Sequence, residues 1–463
     1  MRLPAPLSIS RKQFSLLLSF ALLILSVAPD ALATEGAAAP HSVAATFLFM
    51  VVILLAAKFS GVIERFGQSA VLGELIIGII LGNLALIGFP LLDPAKEDTI
   101  ILFLAELGVV ILLFQVGLES NIKDMLRVGG RAFAVAVVGV ILPFFLATLF
   151  VGPWLLPGLS SNAYLFLGAT LTATSVGITA RVFRDLGKLQ TPEARIVLGA
   201  AVIDDVLGLI ILAVVSAIVT IGSISAETMG WIVIKAVLFL LGSILIGHVS
   251  APKLGAGLAK IHAGTGMKFT LAICFCLLFA ALAQLIGLAP IVGAFAAGLV
   301  LDPVHFRYFK DASVITDVKE ALHEAEPQTG EHIARIIDRH AHRHIEDLIE
   351  PIGLFFVPIF FVMTGMAVRL ETLFDLSVLL IALGVTAAAF AGKIAAGIVA
   401  GRVKKWIVGF GMVPRGEVGL IFATIGRGLG VISDEVYSIV IIMVILSTLL
   451  TPPILTILLK RQA

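Results

Sequence analysis

The chain has 463 residues, of which 59% are hydrophobic and only 14% charged, with a formal net charge of +1. Soluble domains carry about 25% charged residues, so this chain has too little polar surface to wrap its apolar side chains in water, and lipid must be the solvent for most of it. The near-neutral balance excludes nucleic acid and broadly acidic partners, and no run of linker composition divides the chain.

Residues 1–33 read as a secretory signal peptide. Arg2, Arg11 and Lys12 precede an apolar run from Phe14 to Ala28, and Ala31-Leu32-Ala33 supplies a small-x-small cleavage pattern. The mature N-terminus is then outside. A spanning helix needs about 20 apolar residues. That rule predicts an all-α polytopic protein with thirteen spans, at 43–63, 70–90, 99–118, 130–151, 162–180, 193–221, 228–250, 267–284, 286–302, 351–368, 376–401, 406–426 and 433–458. With this topology the outer loops hold only Lys96, Arg369 and Arg427, while most of the 32 Lys and Arg fall in inner loops, as translocation requires. The two cysteines, Cys274 and Cys276, lie two residues apart in span eight. Such spacing turns them to different sides of a helix and suits neither a disulfide nor a metal site.

Three sequence echoes recur seven spans apart. Gly73-Glu-Leu-Ile-Ile-Gly78 in span two is echoed by Gly293-Ala-Phe-Ala-Ala-Gly298 in span nine. Phe114-Gln-Val-Gly117 in span three is echoed by Phe361-Val-Met-Thr-Gly365 in span ten, and Ser175-Val-Gly-Ile178 in span five by Glu417-Val-Gly-Leu420 in span twelve. An odd offset makes the copies antiparallel, and inverted repeats with broken helices mark secondary transporters. Spans five and twelve carry the breaks. Span five reads Thr170-Leu-Thr-Ala-Thr-Ser-Val-Gly177, and span twelve reads Gly409-Phe-Gly-Met-Val-Pro-Arg-Gly-Glu-Val-Gly419. Freed backbone groups in lipid must line a cavity or be satisfied again, and carbonyls and Thr hydroxyls are suitable ligands for a hard cation.

Span six opens on Thr191-Pro192, an N-cap followed by proline at the first helical position. Twelve residues on come Asp204 and Asp205, about 18 Å along the helix and so near mid-membrane. An ionised carboxylate there costs about 3 kcal/mol or more. Lys393, nine residues before Arg402, reaches a similar depth, and a buried Lys keeps its proton only when paired. One acid paired with Lys393 and the other left for a cation is the simple arrangement. Competition of cation and proton for that carboxylate is exchange, provided the site opens alternately to each side.

These residues resemble those of bacterial monovalent cation:proton antiporters, the second cation/proton antiporter family, and among them the sodium/hydrogen exchanger type. The resemblance covers residues 43–460 and rests on Ala201-Val-Ile-Asp-Asp-Val-Leu-Gly208, Thr174-Ser-Val-Gly-Ile-Thr179, Gly411-Met-Val-Pro-Arg-Gly-Glu-Val-Gly-Leu420 and Lys393. It implies a dimer domain and a mobile core domain, with spans five and twelve crossing at unwound midpoints, and a homodimer in the inner membrane with a cytoplasmic C-terminus. It implies Na⁺ and proton carriage at Asp205, Asp204 pairing with Lys393, a cation-site contribution from Thr174 and Ser175, and a structural role for Pro414, Arg415 and Glu417 at the break. Exchange is expected to be electrogenic, with no cofactor and no enzyme activity; K⁺/H⁺ exchange or K⁺ efflux is the alternative. Potassium-efflux relatives carry Gln-Asp and a nucleotide-binding domain, whereas this chain has Asp-Asp and no Gly-rich nucleotide loop.

The inner loop 303–350 departs from the family pattern. It carries His305, His323, His332, His340, His342 and His344, and about 312–341 looks like an insertion. It is expected to be a solvated segment; its alternatives are a cytosolic pH sensor, since His titrates at about pH 6.5, and a metal site at His340 and His344, one helical turn apart. An intramembrane aspartyl protease needs its acids on separate helices, and these are consecutive; a channel needs no carboxylate pair with a lysine.

Overall fold

The structure is a computed structural model; it describes residues 43–66, 69–119, 129–221, 226–262, 264–301, 344–373 and 375–461. The expected signal peptide, residues 1–33, and residues 303–343 of the His-rich loop lie outside the described residues. The helices in chain order are α1 (Val43–Ser60), α2 (Ala70–Gly82), α3 (Thr99–Glu119), α4 (Gly130–Phe145), α5 (Ser161–Thr172), α6 (Val176–Asp185), α7 (Pro192–Ile221) and α8 (Ala226–Ile261). They continue as α9 (Thr265–Leu285), α10 (Pro290–Val300), α11 (His344–Met366), α12 (Leu376–Ala396), α13 (Lys405–Gly411), α14 (Glu417–Gly428) and α15 (Asp434–Lys460). Among the described residues there is no strand. Among the described residues eight helical segments are long and apolar enough to cross a membrane, so this is a multi-pass membrane protein.

A helix or a pair of helices occupies each of the thirteen expected ranges, with informative differences at their ends. Span two stops at Gly82 because Asn83 caps it: its side-chain amide donates to Ile79 O at 2.7 Å and to Val368 O at 2.8 Å. Short 3₁₀ turns then run through Leu84–Ile87 and Pro90–Lys96. Helix α11 begins at His344, seven residues before the expected span and inside what sequence assigned to the loop. Ile345 and Ile349, one turn apart, are both buried and dock that extension. Helix α4 contains Pro143 and passes into a π turn over Leu146–Val151 before a last α turn, which fits the ladder bond that proline removes. Cys274 is exposed and Cys276 buried, on different sides of α9.

The substantial helix packing sorts into two bundles. Helices α1, α2, α3, α8, α9, α10 and α11 pack among themselves, and so do α4, α5, α6, α7, α12, α13, α14 and α15; the extensive contact between the groups is that of the consecutive helices α7 and α8. In the first bundle, the scaffold, two crossings are built on glycine. Gly78 on α2 faces Gly365 on α11, and Gly117 on α3 faces Gly298 on α10; a methyl group at any of the four would strike the facing backbone. Each motif thus meets the echo of the other motif, the pairing a pseudo-twofold axis would generate.

Candidate functional site

The site lies in the second bundle, the core. Helix α5 ends at Thr172 and α6 starts at Val176; α13 ends at Gly411 and α14 starts at Glu417. Two breaks, 173–175 and 412–416, therefore oppose each other. They are joined where the Ser175 backbone N–H donates to Pro414 O at 2.8 Å. Gly416 permits this approach, since a Cβ there would sit 2.7 Å from the Cβ and Oγ of Ser175. Thr174 Oγ1 donates to Met412 O at 3.2 Å and Thr179 Oγ1 to Gly411 O at 2.7 Å.

Arg415 is fully buried at the crossing. Its Nη1 donates to Val413 O at 3.0 Å and lies 3.5 Å from Met412 O; its Nη2 donates to Leu171 O at 2.6 Å and to Ala389 O at 3.3 Å. Leu171 O belongs to the last turn of α5, and Met412 and Val413 follow α13, so the guanidinium covers the negative ends of two half-helices. The rest of the break is held from α15. Thr448 Oγ1 donates to Arg415 O at 2.5 Å, and the Arg415 N–H donates to Ser447 Oγ at 3.3 Å. The carbonyls of residues 411–415 are thus engaged by protein donors, and span twelve's freed backbone is re-satisfied instead of left open toward a cation. The structural role expected of Glu417 falls on a side chain outside the described residues.

Helix α7 supplies the acids. Thr191 caps it as the sequence indicates, its Oγ1 accepting from Ala194 N at 3.3 Å. Lys393 Nζ on α12 donates to Asp204 Oδ1 at 2.7 Å, with both side chains wholly buried. The other carboxylate oxygen of Asp204 is buried without a hydrogen-bond partner, and Thr174 lies against the same carboxylate. Asp205 is 9% exposed against 1% for Asp204, so it is the more accessible acid. It stands within electrostatic reach of Lys393. A cavity of about 150 Å³, lined by Ser69, Leu72, Leu75, Ser175, Gly416 and Thr448 among others, reaches the crossing from the N-terminal end of α2. Among the described residues no group of three or more His, Cys, Asp or Glu is arranged to hold a resident metal ion.

The structure therefore brings Asp204, Lys393, Thr174, Ser175, Pro414 and Arg415 together around one crossing. Sequence reasoning missed Thr179, Ser447 and Thr448, which anchor the breaks. The signal was present: Ser447-Thr448-Leu-Leu-Thr451-Pro452 interrupts an apolar helix with hydroxyls, as span five does.

A buried acid–base pair beside two crossed, interrupted helices inside a multi-pass bundle defines a membrane transporter of the broken-helix type. The family described as sodium/hydrogen exchanger, transmembrane, matches residues 50–319 and 334–461, and the chain belongs to it. The stretch the match omits lies in the His-rich loop. The chain is 35% identical over 460 residues to the high-affinity Na⁺/H⁺ antiporter NhaS3 of Synechocystis sp., covering 91% of this chain and 92% of that protein. It is 32% identical to the Na⁺/H⁺-K⁺ antiporter GerN of Bacillus cereus, covering 88% and 95%. Its fold is similar to that of the sodium proton antiporter MjNhaP1 of Methanocaldococcus jannaschii, with a TM-score of 0.61 at 16% identity over 89% of this chain and 98% of that one.

Proposed function

We propose that the chain is a secondary antiporter that exchanges Na⁺ for H⁺ across a bacterial inner membrane by alternating access, as a homodimer with its mature N-terminus outside. The observation that carries this reading is the wholly buried Lys393–Asp204 pair at 2.7 Å, set against two helix breaks with Asp205 next to it in sequence. A static salt bridge would not explain a second acid in a segment where ionised groups are costly.

Exchange follows from charge balance. In the cation-free site Asp205 holds a proton and Lys393 holds its own against Asp204. A Na⁺ ion arriving from the Ser175–Gly416 cavity takes the Asp205 carboxylate and draws on the unpartnered oxygen of Asp204. Thr174 and Ser175 hydroxyls complete its oxygen shell. Lys393 loses its counter-charge, and an unpaired buried ammonium releases its proton. One cation thus displaces two protons, so each cycle moves one net charge. The core bundle then shifts against the scaffold and presents the site to the other side. The crossed pairing of glycine motifs in the scaffold supports the inverted repeat that makes two such orientations near-equivalent.

The test is purified protein in proteoliposomes with an imposed pH gradient. Added Na⁺ should dissipate the gradient, and Asp205→Asn should abolish this while the protein stays folded. Dissipation that needs no Na⁺, Li⁺ or K⁺ would overturn the reading. K⁺ is the second cation to try, because the similar GerN is named for both ions.

A further inference from the structure

Tyr437 on α15 is fully buried and bridges the two bundles. Its hydroxyl donates to Thr364 O of α11 at 3.2 Å. Helix α11 ends at Met366, so Thr364 O is one of the last four carbonyls, which lack intrahelical donors. Its neighbours Met363 O and Gly365 O are taken by the N–H groups of Ala367 and Val368. Within the core, Thr424 Oγ1 stands 3.4 Å from the Tyr437 hydroxyl. The Arg427 guanidinium lies 5.0 Å from the ring centroid, and Asp434 fixes it at 2.8 Å. Tyr437 is therefore gripped by its own bundle and reaches the other through the neutral hydrogen bond to Thr364 O.

The position of that bond matters. Gly82, at the C-terminal end of α2, packs on Met366, so Thr364 and Tyr437 lie at the end of α2 opposite Ser69. The cavity that reaches Ser175 and Gly416 enters from the Ser69 end. At the Tyr437 end there is a separate cavity of about 390 Å³, lined by Gly82, Asn83, Lys96, Met363 and Arg427 among others, which does not include the crossing residues. The cavity that includes the crossing residues lies toward the Ser69 end, and Tyr437 meets Thr364 toward the other end.

We propose that Tyr437 is a positioning residue for exchange: its bond to Thr364 O latches the core against the scaffold at this end and sets how often the site faces the Ser69 side. The proposal rests on the alternating-access reading. For the site to open toward Tyr437, α15 must part from α11, and this bond must break. A neutral hydrogen bond has a modest net strength, so the latch biases a two-state equilibrium without freezing it, as a transporter that must visit both states requires.

Tyr437→Phe removes only the hydroxyl and keeps the ring under Arg427. In a background with both native cysteines replaced by Ala, Val71→Cys reports the Ser69-side cavity and Met363→Cys the opposite one. Each is labelled with a membrane-impermeant maleimide from its own side. Loss of one such bond should raise the ratio of Met363→Cys to Val71→Cys labelling by about fivefold. Thr424→Val, which spares the bond to Thr364, should leave the ratio within about twofold of its starting value. An unchanged ratio in Tyr437→Phe, or an equal shift in Thr424→Val, would overturn the latch. Labelling is read without transport. A wild-type protein showing no Na⁺-dependent proton movement would therefore sink the antiport reading and leave this test standing.

Discussion

Replacing Lys393 by methionine keeps most of the side chain's bulk and removes its charge. Asp204 then loses the hydrogen bond from Lys393 Nζ, at 2.7 Å, while its second oxygen already has none. Breaking a buried pair by removing one partner costs about 3–5 kcal/mol, because the remaining charge is left uncompensated. In this site the cost has a way out: Asp204 takes up a proton and stays neutral. The variant should therefore fold with a lowered melting temperature. It should still exchange Na⁺ for H⁺, but without the proton that Lys393 contributes, so the cycle becomes electroneutral. Two readouts on the same proteoliposomes check this, a pH-sensitive dye for exchange and a potential-sensitive dye for net charge. Wild type should move both; Lys393→Met should move only the first. Adding Asp204→Asn to Lys393→Met removes both charges and should recover most of the lost thermal stability, as replacement of a whole buried pair commonly does. A potential generated by Lys393→Met at the wild-type rate would refute the two-proton scheme.

Other outcomes follow from the same geometry. Gly416→Ala should slow exchange at least tenfold and lower the melting temperature, because the new Cβ would lie 2.7 Å from the Ser175 side chain and part the crossing; wild-type rates would mean the crossing tolerates separation. Arg415→Gln should destabilise the fold by about 3 kcal/mol or more, since it leaves buried carbonyls of both half-helices without donors, and thermal unfolding in detergent reads this directly. The apparent KM for Na⁺ should rise as pH falls, by up to about tenfold per unit for one competing proton, because the cation needs the deprotonated carboxylate; initial rates across pH at fixed gradient test the sign. Asp98→Ala should cost about 1–2 kcal/mol by removing the cap on Ile100 and Ile101 and the acceptor of Thr46. It should leave the KM for Na⁺ unchanged.

Hydropathy made the helical plan legible, because lipid permits few alternatives to apolar helices. Even the division between spans eight and nine is visible as a break at Ile286–Ala289, with Gly287 at φ +85°. Ends were less legible, for reasons outside hydropathy. Asn83 stops α2 by bonding to Val368, 285 residues away, and Ile345 and Ile349 extend α11 by docking on a surface that only the fold creates. At the site, the acids and Lys393 stood out because charge is rare in lipid. Their supports did not, because a hydroxyl that holds a carbonyl 232 residues distant, as Thr179 holds Gly411, resembles any other threonine. The carbonyls freed at this break read as open ligands in sequence; only the fold places the Arg415 guanidinium upon those of Met412 and Val413.

Lys393 and Asp204 are separated by 189 residues in the chain, and that spacing bears on how the protein is made. Synthesis at about 5–20 residues per second leaves the acids of α7 in the bilayer for roughly 10–40 s before their lysine exists. During that interval the nascent half must carry two neutral, protonated acids or shelter them from lipid. Insertion thus begins with the acids in a protonated state, and their ion pair can form only when α12 arrives, with α13, α14 and α15 of the same bundle still to follow.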